Sequence, residues 1–342
     1  MVDALTYNIL HKYKNSQFEF LKNQSDPNII DDSNDEEFVL RLPPTIQGFH
    51  MQDKKWFKLP VDKLRPVEWN ENAFGSLAVN DDTKELVEAL VTNKIEADKG
   101  TDLVAGKGTG LIMLLHGGPG TGKTLTAESV AEIAKKPLYR VTCGDVGASA
   151  KGVEEYLESV FQLGRTWDCV VLLDEADVFL EQRSLASLER NALVSVFLRV
   201  LEYYDGILLL TSNRVGTFDE AFRSRIQLAL HYKSLDEPQR SRIWNNFIQR
   251  LENLGEDIDV DDIRGHLSDL ARSQMNGRQI RNVVTTARQL AKFRKQRMGF
   301  SHLHKVIGIC KRFDDYLVEV KDVIEVEDQP KEEEWARDEG IR

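Results

Sequence analysis

The sequence predicts an α/β fold, in which a parallel β-sheet is covered by helices and is followed by a smaller helical domain. Short apolar segments alternate with helical stretches through the middle of the chain, which is the pattern of a parallel sheet. The segments predicted as strands are 111–115, 138–142, 170–173, 207–211 and 226–232. Beyond Ser234 the pattern is helical, beginning with 237–254 and including an amphipathic stretch over 278–297.

Composition indicates a globular protein whose charges are unevenly distributed. The 342 residues are 41% apolar and 30% charged, with a formal net charge of −11, which leaves room for two compact units. Residues 313–342 hold twelve acidic and four basic residues, whereas 272–312 hold eleven basic and no acidic ones. We therefore expect a large domain over 66–235, a helical domain over 236–312 and an acidic tail over 313–342. Polar and acidic stretches within 1–65 predict a partly disordered N-terminal region.

Several classes of protein are excluded by what the sequence lacks. It shows neither a secretory signal pattern nor an apolar run long enough to span a bilayer. Cys143, Cys169 and Cys310 have the spacing of neither a disulfide framework nor a zinc site. We expect an intracellular, soluble protein of the cytoplasm or nucleus, with reduced thiols.

One segment matches the phosphate-binding pattern G-x-x-x-x-G-K-S/T at every fixed position. It consists of Gly117, Gly118, Pro119, Gly120, Thr121, Gly122, Lys123 and Thr124. The glycines let backbone N–H groups surround a phosphate, and the helix predicted from Leu125 presents its positive end to the same charge. Lys123 adds a full positive charge, and the Thr124 hydroxyl is a candidate ligand of Mg²⁺. An apolar strand before the loop and a helix after it supply the required context, so we predict that residues 117–125 bind ATP with Mg²⁺.

An acidic pair follows the third predicted strand. Asp174 and Glu175 stand directly after the run Val170-Val171-Leu172-Leu173. We predict that Asp174 holds Mg²⁺ and that Glu175 orients and polarises the attacking water. Asp177, also acidic, is interpreted as a charge at a helix N-terminus.

Three further polar residues lie next to later strands. Asn213 follows the fourth predicted strand, where its amide could contact both the γ-phosphate and the nucleophilic water. Arg223 and Arg225 lie in a turn directly before the last strand. Both arginines are candidates to enter the site of a neighbouring subunit and neutralise charge on the transferred phosphoryl group, with a solvated or salt-bridged pair as the alternative.

The order of these motifs resembles the AAA family of ATPases. The motifs are GPGTGKT, LLDEAD, TSN and DEAFRSR, followed by a helical region, and the likeness covers about 69–311. The sequences of 174–183 and 276–282 are similar to those of uncharacterised fungal AAA proteins. Those proteins are usually longer at the N-terminus, so 46–56 is interpreted as the remnant of an upstream module. The resemblance implies a P-loop NTPase sheet of order 5-1-4-3-2, a four-helix lid and a self-assembled ring, commonly a hexamer. It further implies that Gly277 contacts the nucleotide and that Arg278 acts as a second sensor.

The resemblance departs from the family's threading members at one loop. Those members carry an aromatic residue on a central-pore loop, but residues 143–152 contain none. Three hypotheses of function follow. The first is a ring that uses ATP hydrolysis to remodel an unknown protein substrate. The second is a nucleotide-gated scaffold that threads no polypeptide.

The third hypothesis is an ATPase associated with nucleic acid. Its basis is the basic face formed by Arg281, Arg288, Lys292 and Lys295 in the helical domain. Charge runs on helices are usually solvated faces, and aromatic residues are sparse among these basic ones. The sequence therefore disfavours nucleic acid as a partner.

Overall fold

The computed structural model describes residues 1–3, 6–7, 43–96, 110–142, 150–180, 188–214, 218–313 and 315–316. Most of the expected acidic tail, and the loop 143–149 that lacks an aromatic residue, lie outside these residues. The chain divides into two units. The first contains most of the chain up to Tyr232, and the second contains Lys233 onward with the short segments Ser76–Val79 and Gly118–Gly122.

The first unit begins with a hairpin and continues with alternating strands and helices. The hairpin strands are β1, Thr45–His50, and β2, Lys55–Pro60. The elements that follow are α1 Asn72–Gly75, α2 Asp81–Glu96, β3 Leu111–Gly117, α3 Lys123–Ala134, β4 Leu138–Thr142, α4 Ala150–Thr166, β5 Val170–Asp174, α5 Asp177–Leu180, α6 Leu188–Glu202, β6 Ile207–Ser212 and β7 Leu228–Tyr232.

Strands β3 to β7 form one parallel sheet in the order β4-β5-β6-β3-β7. Numbered among themselves and taken from β7, they run 5-1-4-3-2, so the order that the resemblance implies is confirmed. Every residue of β5 and β6 is buried, because helices cover both faces of a parallel sheet and select continuous apolar runs. The last residues of both strands are therefore positioned by a well-packed part of the sheet.

The hairpin packs against the sheet domain through an aromatic cluster. Phe49 is only 8% exposed, and its ring centroid lies 5.3 Å from that of Trp56 and 5.0 Å from that of Trp167. The Trp167 indole N–H also donates to the Asp3 carboxylate at 2.8 Å. Part of the region expected to pack poorly is thus regular structure, because a few aromatic side chains supply apolar area that the average composition of 1–65 hides.

The second unit is helical, as predicted from the periodicity beyond Ser234. Its helices are α7 Glu237–Asn253, α8 Val260–Gly265, α9 Leu267–Arg272, α10 Gly277–Arg294 and α11, which covers 300–313. Asp236 and Asn276 begin α7 and α10 with reciprocal capping boxes. Helix α10 ends three residues before the predicted 297, because Lys295 adopts a left-handed conformation with φ 54° that closes it.

The apolar face predicted for α10 forms the centre of this unit's core. Ile280, Val283, Ala287 and Ala291 are buried, and they pack in one cluster with Trp244 of α7. The 3.6-residue spacing of these side chains is what places them on one face. In the part of the chain that the structure describes, no helix is both long and apolar enough to cross a membrane.

Candidate active site

The phosphate-binding pattern begins where β3 meets the backbone of β7. Gly117 has φ 140°, and a Cβ there would lie 2.1 Å from the Tyr232 carbonyl oxygen, so only glycine fits. Lys123 is the first residue of α3, and its side chain is buried, with Nζ donating to the Gly117 carbonyl at 2.8 Å. Its ammonium group is therefore held at the start of the loop.

The loop segment Gly118–Gly122 makes its contacts within the helical unit. Gly120 has φ 71°, and its carbonyl accepts a hydrogen bond from the Gly277 N–H at 2.9 Å. A Cβ on Gly120 would lie 2.6 Å from side-chain atoms of Asn276, the residue that caps α10. The structure thus brings together Gly120 and Gly277, two of the predicted nucleotide contacts, and leaves Arg278 exposed beside them.

Asp174 is the last residue of β5 and is 6% exposed. Its Oδ1 accepts from the Thr211 hydroxyl at 2.5 Å and from the Thr124 hydroxyl at 3.3 Å. Its Oδ2 accepts from the guanidinium of Arg140 on β4. A carboxylate and a hydroxyl this close are the hard oxygen donors that Mg²⁺ prefers, so Thr124 and Asp174 fit the cation predicted for them.

Glu175 is exposed and has a strained backbone. Its φ is 58°, in the left-handed region that a side chain with Cβ rarely adopts. The strain is held by Thr211 of β6, whose hydroxyl oxygen accepts the Glu175 N–H at 2.9 Å and whose carbonyl accepts the Ala176 N–H at 2.8 Å. Thr211 therefore positions both predicted acidic residues: its hydroxyl donates to the Asp174 carboxylate and accepts from the Glu175 N–H.

The residues after Thr211 fix the turn that leaves β6. The Ser212 hydroxyl donates to the Asp177 carboxylate and accepts from the Arg214 N–H at 3.1 Å. Asp177 is also the first residue of α5, so its charge stabilises that helix start as interpreted from the sequence. Asn213, the predicted γ-phosphate sensor, lies between these groups and is exposed.

The two arginines before β7 have different surroundings. Arg225 donates to the backbone carbonyl of Leu198 at 3.2 Å and to that of Ala221 at 3.0 Å, and it pairs with the Glu202 carboxylate at 3.2 Å. Arg223 is exposed. The sequence gives no reason to distinguish the two arginines, but the structure does. The hydrogen bonds and ion pair of Arg225 join the turn to α6, whereas Arg223 is open to solvent.

A pair of histidine rings stacks beside the phosphate loop. His116 of β3 and His231 of β7 are register partners, with ring centroids 4.9 Å apart and an interplanar angle of 7°. The Nδ1 atom of His116 is buried and has no hydrogen-bond partner among the residues that the structure describes. Burial lowers the pKa of His116 below its ordinary 6.5, and the nearby His231 and Lys123 lower that pKa further.

Sequence reasoning missed Arg140 and Thr211. Arg140 is one charged residue in a strand pattern and belongs to none of the motifs. Thr211 stands inside the TSN motif, but the sequence prediction assigned a role only to Asn213 of that motif. Their signal was available in the topology, since parallel strands bring residues at their carboxyl ends to one edge of the sheet.

Comparison with known families matches the chain in two adjacent segments. Residues 113–234 match the family described as ATPase family associated with various cellular activities (AAA). Residues 235–323 match the fungal AAA+ ATPase lid domain. The boundary between the two matched segments falls directly after the parallel sheet.

Relatives and solved structures agree with that match. The chain is 30% identical over 183 residues to a 26S proteasome regulatory subunit homolog of Methanothermobacter thermautotrophicus, covering 50% of this chain and 47% of the relative. It is also 30% identical over 137 residues to human ATPase family AAA domain-containing protein 3B, covering 38% and 21% of the two chains. The chain thus spans about half the length of the archaeal relative and less of the human one.

The crystal structure of the FIGL-1 AAA domain superposes with a TM-score of 0.55 at 19% identity, over 75% of this chain and 91% of that one. This likeness supports the P-loop NTPase fold. ATPase-named relatives and the matched ATPase domain support ATP hydrolase activity. With an ATPase domain and a fungal lid side by side over residues 113–323, the chain belongs to the AAA family of ATPases.

Proposed function

We propose that this protein hydrolyses ATP at the site built on Lys123, Thr124, Asp174 and Glu175, and that it works as a self-assembled ring that remodels a protein or protein complex. One observation carries the catalytic part: Thr211 of β6 holds Asp174 and Glu175 at the carboxyl end of the neighbouring buried strand β5. The family and the fold support ATP-driven activity in general.

In the proposed reaction, residues 117–125 bind the phosphates through backbone N–H groups and the Lys123 ammonium. Thr124 and Asp174 would hold Mg²⁺, which would supply positive charge that stabilises the negative charge of the phosphates. Glu175 orients the attacking water and accepts its proton. The water oxygen forms a bond to the γ-phosphorus, and the bridging oxygen leaves with ADP.

The ring part of the proposal depends on an arginine supplied by a neighbouring copy. Arg223 is exposed, whereas Arg225 is bonded to its own α6, so Arg223 is the candidate that can reach another subunit. An arginine in trans neutralises charge that develops on the transferred group and makes hydrolysis depend on assembly. Gly277 and Arg278 at the start of α10 are proposed as the lid's nucleotide contacts.

A second candidate function is a nucleotide-gated scaffold in which ATP orders an assembly and no polymer is pulled. It is favoured by the sequence of 143–152, where glycine and alanine replace the aromatic residue of threading members. ATP-dependent unfolding of a tagged model substrate distinguishes the two, because only the remodelling ring accelerates it.

The central test measures the ATPase rate per subunit against protein concentration, with mass determined by light scattering under the same conditions. The wild type is compared with Glu175→Gln, which keeps the shape of the side chain but cannot accept the proton. We expect a specific rate that rises as larger assemblies form and that disappears in Glu175→Gln. A flat rate across a change in mass contradicts the shared site, and an active Glu175→Gln contradicts the role of Glu175.

A further inference from the structure

The ion pair between Arg140 and Asp174 lies at the carboxyl edge of the sheet. In the parallel pairing of β4 with β5, Thr142 is the register partner of Asp174 and Arg140 that of Leu172. Side chains two residues apart in a strand point to the same face, so Arg140 reaches Asp174 along a diagonal. The guanidinium donates to Oδ2 of the carboxylate.

With this contact, both carboxylate oxygens of Asp174 accept hydrogen bonds. Thr124 and Thr211 both donate to Oδ1, and Arg140 takes Oδ2. The Asp174 side chain is 7% exposed, and a buried carboxylate without a positive partner is strongly destabilising. Arg140 therefore supplies the positive charge that this carboxylate needs when no cation is bound.

The two partners differ in their freedom to move. Asp174 ends a fully buried strand and is held by two hydroxyl groups, whereas the Arg140 side chain is 51% exposed. Arginine has several rotatable bonds, and its guanidinium is stable in water. When the pair separates, it is Arg140 that can leave for solvent, and Asp174 stays in place.

A divalent cation at Asp174 competes with the guanidinium, because two positive groups that share one carboxylate repel each other. We propose that Arg140 is an electrostatic latch on the hydrolytic site: it occupies the Asp174 carboxylate in the resting protein, yields it to the divalent cation that enters with ATP, and so sets the cation concentration that loading requires. This inference rests on the proposed role of Asp174 in ATP hydrolysis.

The first experiment is a Mg²⁺ titration of the binding of a fluorescently labelled ATP, followed by anisotropy. Arg140→Met keeps the length of the side chain and removes its charge. Its half-saturating Mg²⁺ concentration is expected to be roughly three- to tenfold lower than that of the wild type, since the competitor is gone. Arg140→Lys keeps a point charge and should stay close to the wild type.

The matched control is Arg165→Met. Arg165 is also about half-exposed and forms an ion pair, with Asp205 at 2.6 Å, but it lies in the last turn of α4, which precedes the start of β5, at the opposite end of that strand from Asp174. This control should leave the half-saturating Mg²⁺ concentration unchanged. A shift of equal size in Arg165→Met would overturn the proposal, since loss of any surface charge would then explain the effect.

The second experiment needs no nucleotide. Thermal unfolding is recorded with EDTA and with increasing Mg²⁺, without ATP. Arg140→Met should unfold at lower temperature than the wild type in EDTA, because Asp174 has lost its counter-ion, and should recover more of its stability as Mg²⁺ is added. A Mg²⁺ response equal to that of the wild type overturns the latch, even if the protein binds no ATP.

The two experiments also separate the latch from the proposed function. Failure of every variant, wild type included, to bind labelled ATP contradicts the proposed hydrolytic site and leaves the thermal measurement to decide on Arg140. Weaker binding of labelled ATP in Arg140→Met at an unchanged half-saturating Mg²⁺ concentration would make Arg140 a phosphate contact. That result overturns the latch and keeps the hydrolytic site.

Discussion

The hydroxyl of Thr211 lies 2.5 Å from the carboxylate of Asp174, across neighbouring parallel strands. The same hydroxyl oxygen accepts the backbone N–H of Glu175, so one side chain positions two acidic residues with different proposed roles. A hydroxyl is suited to this place because it donates and accepts at once. The arrangement gives Thr211 an importance that its position inside a motif of three residues does not reveal.

Replacing Thr211 by valine removes the hydroxyl and keeps the shape of the side chain. We expect kcat for ATP hydrolysis to fall about 10- to 100-fold, as for other residues that orient metal-binding carboxylates, with a smaller change in ATP affinity. Thr211→Ser restores the hydroxyl and should recover most of the activity. Steady-state kinetics and equilibrium binding of labelled ATP check this, and equal activity of the valine and serine variants would contradict it.

Arg223 and Arg225 should respond differently to replacement by alanine. Arg223→Ala is expected to reduce the ATPase rate of the assembled protein about 10³-fold, at the low end of what a trans-acting arginine contributes, with little change in thermal stability. Arg225→Ala should instead lower the free energy of unfolding by about 1–2 kcal/mol, because it removes bonds to Leu198 and Glu202. Measured rates, light scattering and urea unfolding decide, and the assignment is wrong if Arg225→Ala alone abolishes hydrolysis in a stable assembly.

Two glycines of the phosphate loop offer a matched comparison of stability. Gly117→Ala places a Cβ 2.1 Å from the Tyr232 carbonyl oxygen, whereas a Cβ on Gly122 meets no atom within 4 Å. Gly122 has φ 108°, so its replacement costs about 1–2 kcal/mol of backbone strain. Gly117→Ala should cost more than this, through displacement of β7. Urea unfolding of both variants tests the difference, and equal losses would show that β7 moves without cost.

The lowered pKa of His116 predicts a pH dependence of stability. The unfolded chain takes up a proton near pH 6.5, but the folded protein resists protonation there, so stability is lost as pH falls from about 6.5 towards the lowered folded pKa. His116→Phe keeps a ring against His231 and removes this titration. Its unfolding free energy should therefore fall less than that of the wild type between pH 7.5 and pH 5.5.

The exposed His50 serves as the control for that measurement, because His50→Gln removes a histidine from the same unit without touching the stacked pair. A pH profile of His50→Gln that departs from the wild type as far as that of His116→Phe would contradict the assignment of the effect to His116. If His116→Phe and the wild type lose stability in parallel, the ring of His116 does not resist protonation as described.

Most of the sheet could be predicted because its signal is local. The run Leu111 to Leu115 and the buried β5 and β6 are continuous apolar segments, and the phosphate loop has fixed residue types at fixed spacing. The family resemblance added the strand order, which is a long-range property. In the helical unit, α7 and α10 followed from their period, apart from the end of α10, which depends on the conformation of the single residue Lys295.

What could not be predicted depends on contacts between distant parts of the chain. Thr211 and Asp174 are 37 residues apart, and Arg140 and Asp174 are 34 apart. No spacing rule connects them until the strand order is known. Arg225 likewise differs from Arg223 only because α6 presents Leu198 and Glu202 to it. Residue type identified these arginines, but surroundings decide between them.

The hydrogen bond from Lys123 to the Gly117 carbonyl means that a bound phosphate would compete with an acceptor that the ammonium group already has. The ammonium group already has an acceptor at 2.8 Å in its own loop, as the guanidinium of Arg140 has in Asp174. A phosphate that takes this donor would therefore compete with an existing acceptor, and the contribution of Lys123 to affinity would be the difference between the two interactions. A substitution of Lys123 removes its bond to the Gly117 carbonyl as well as its bond to the phosphate. The measured loss of affinity will therefore understate how strongly the ammonium group holds the phosphate.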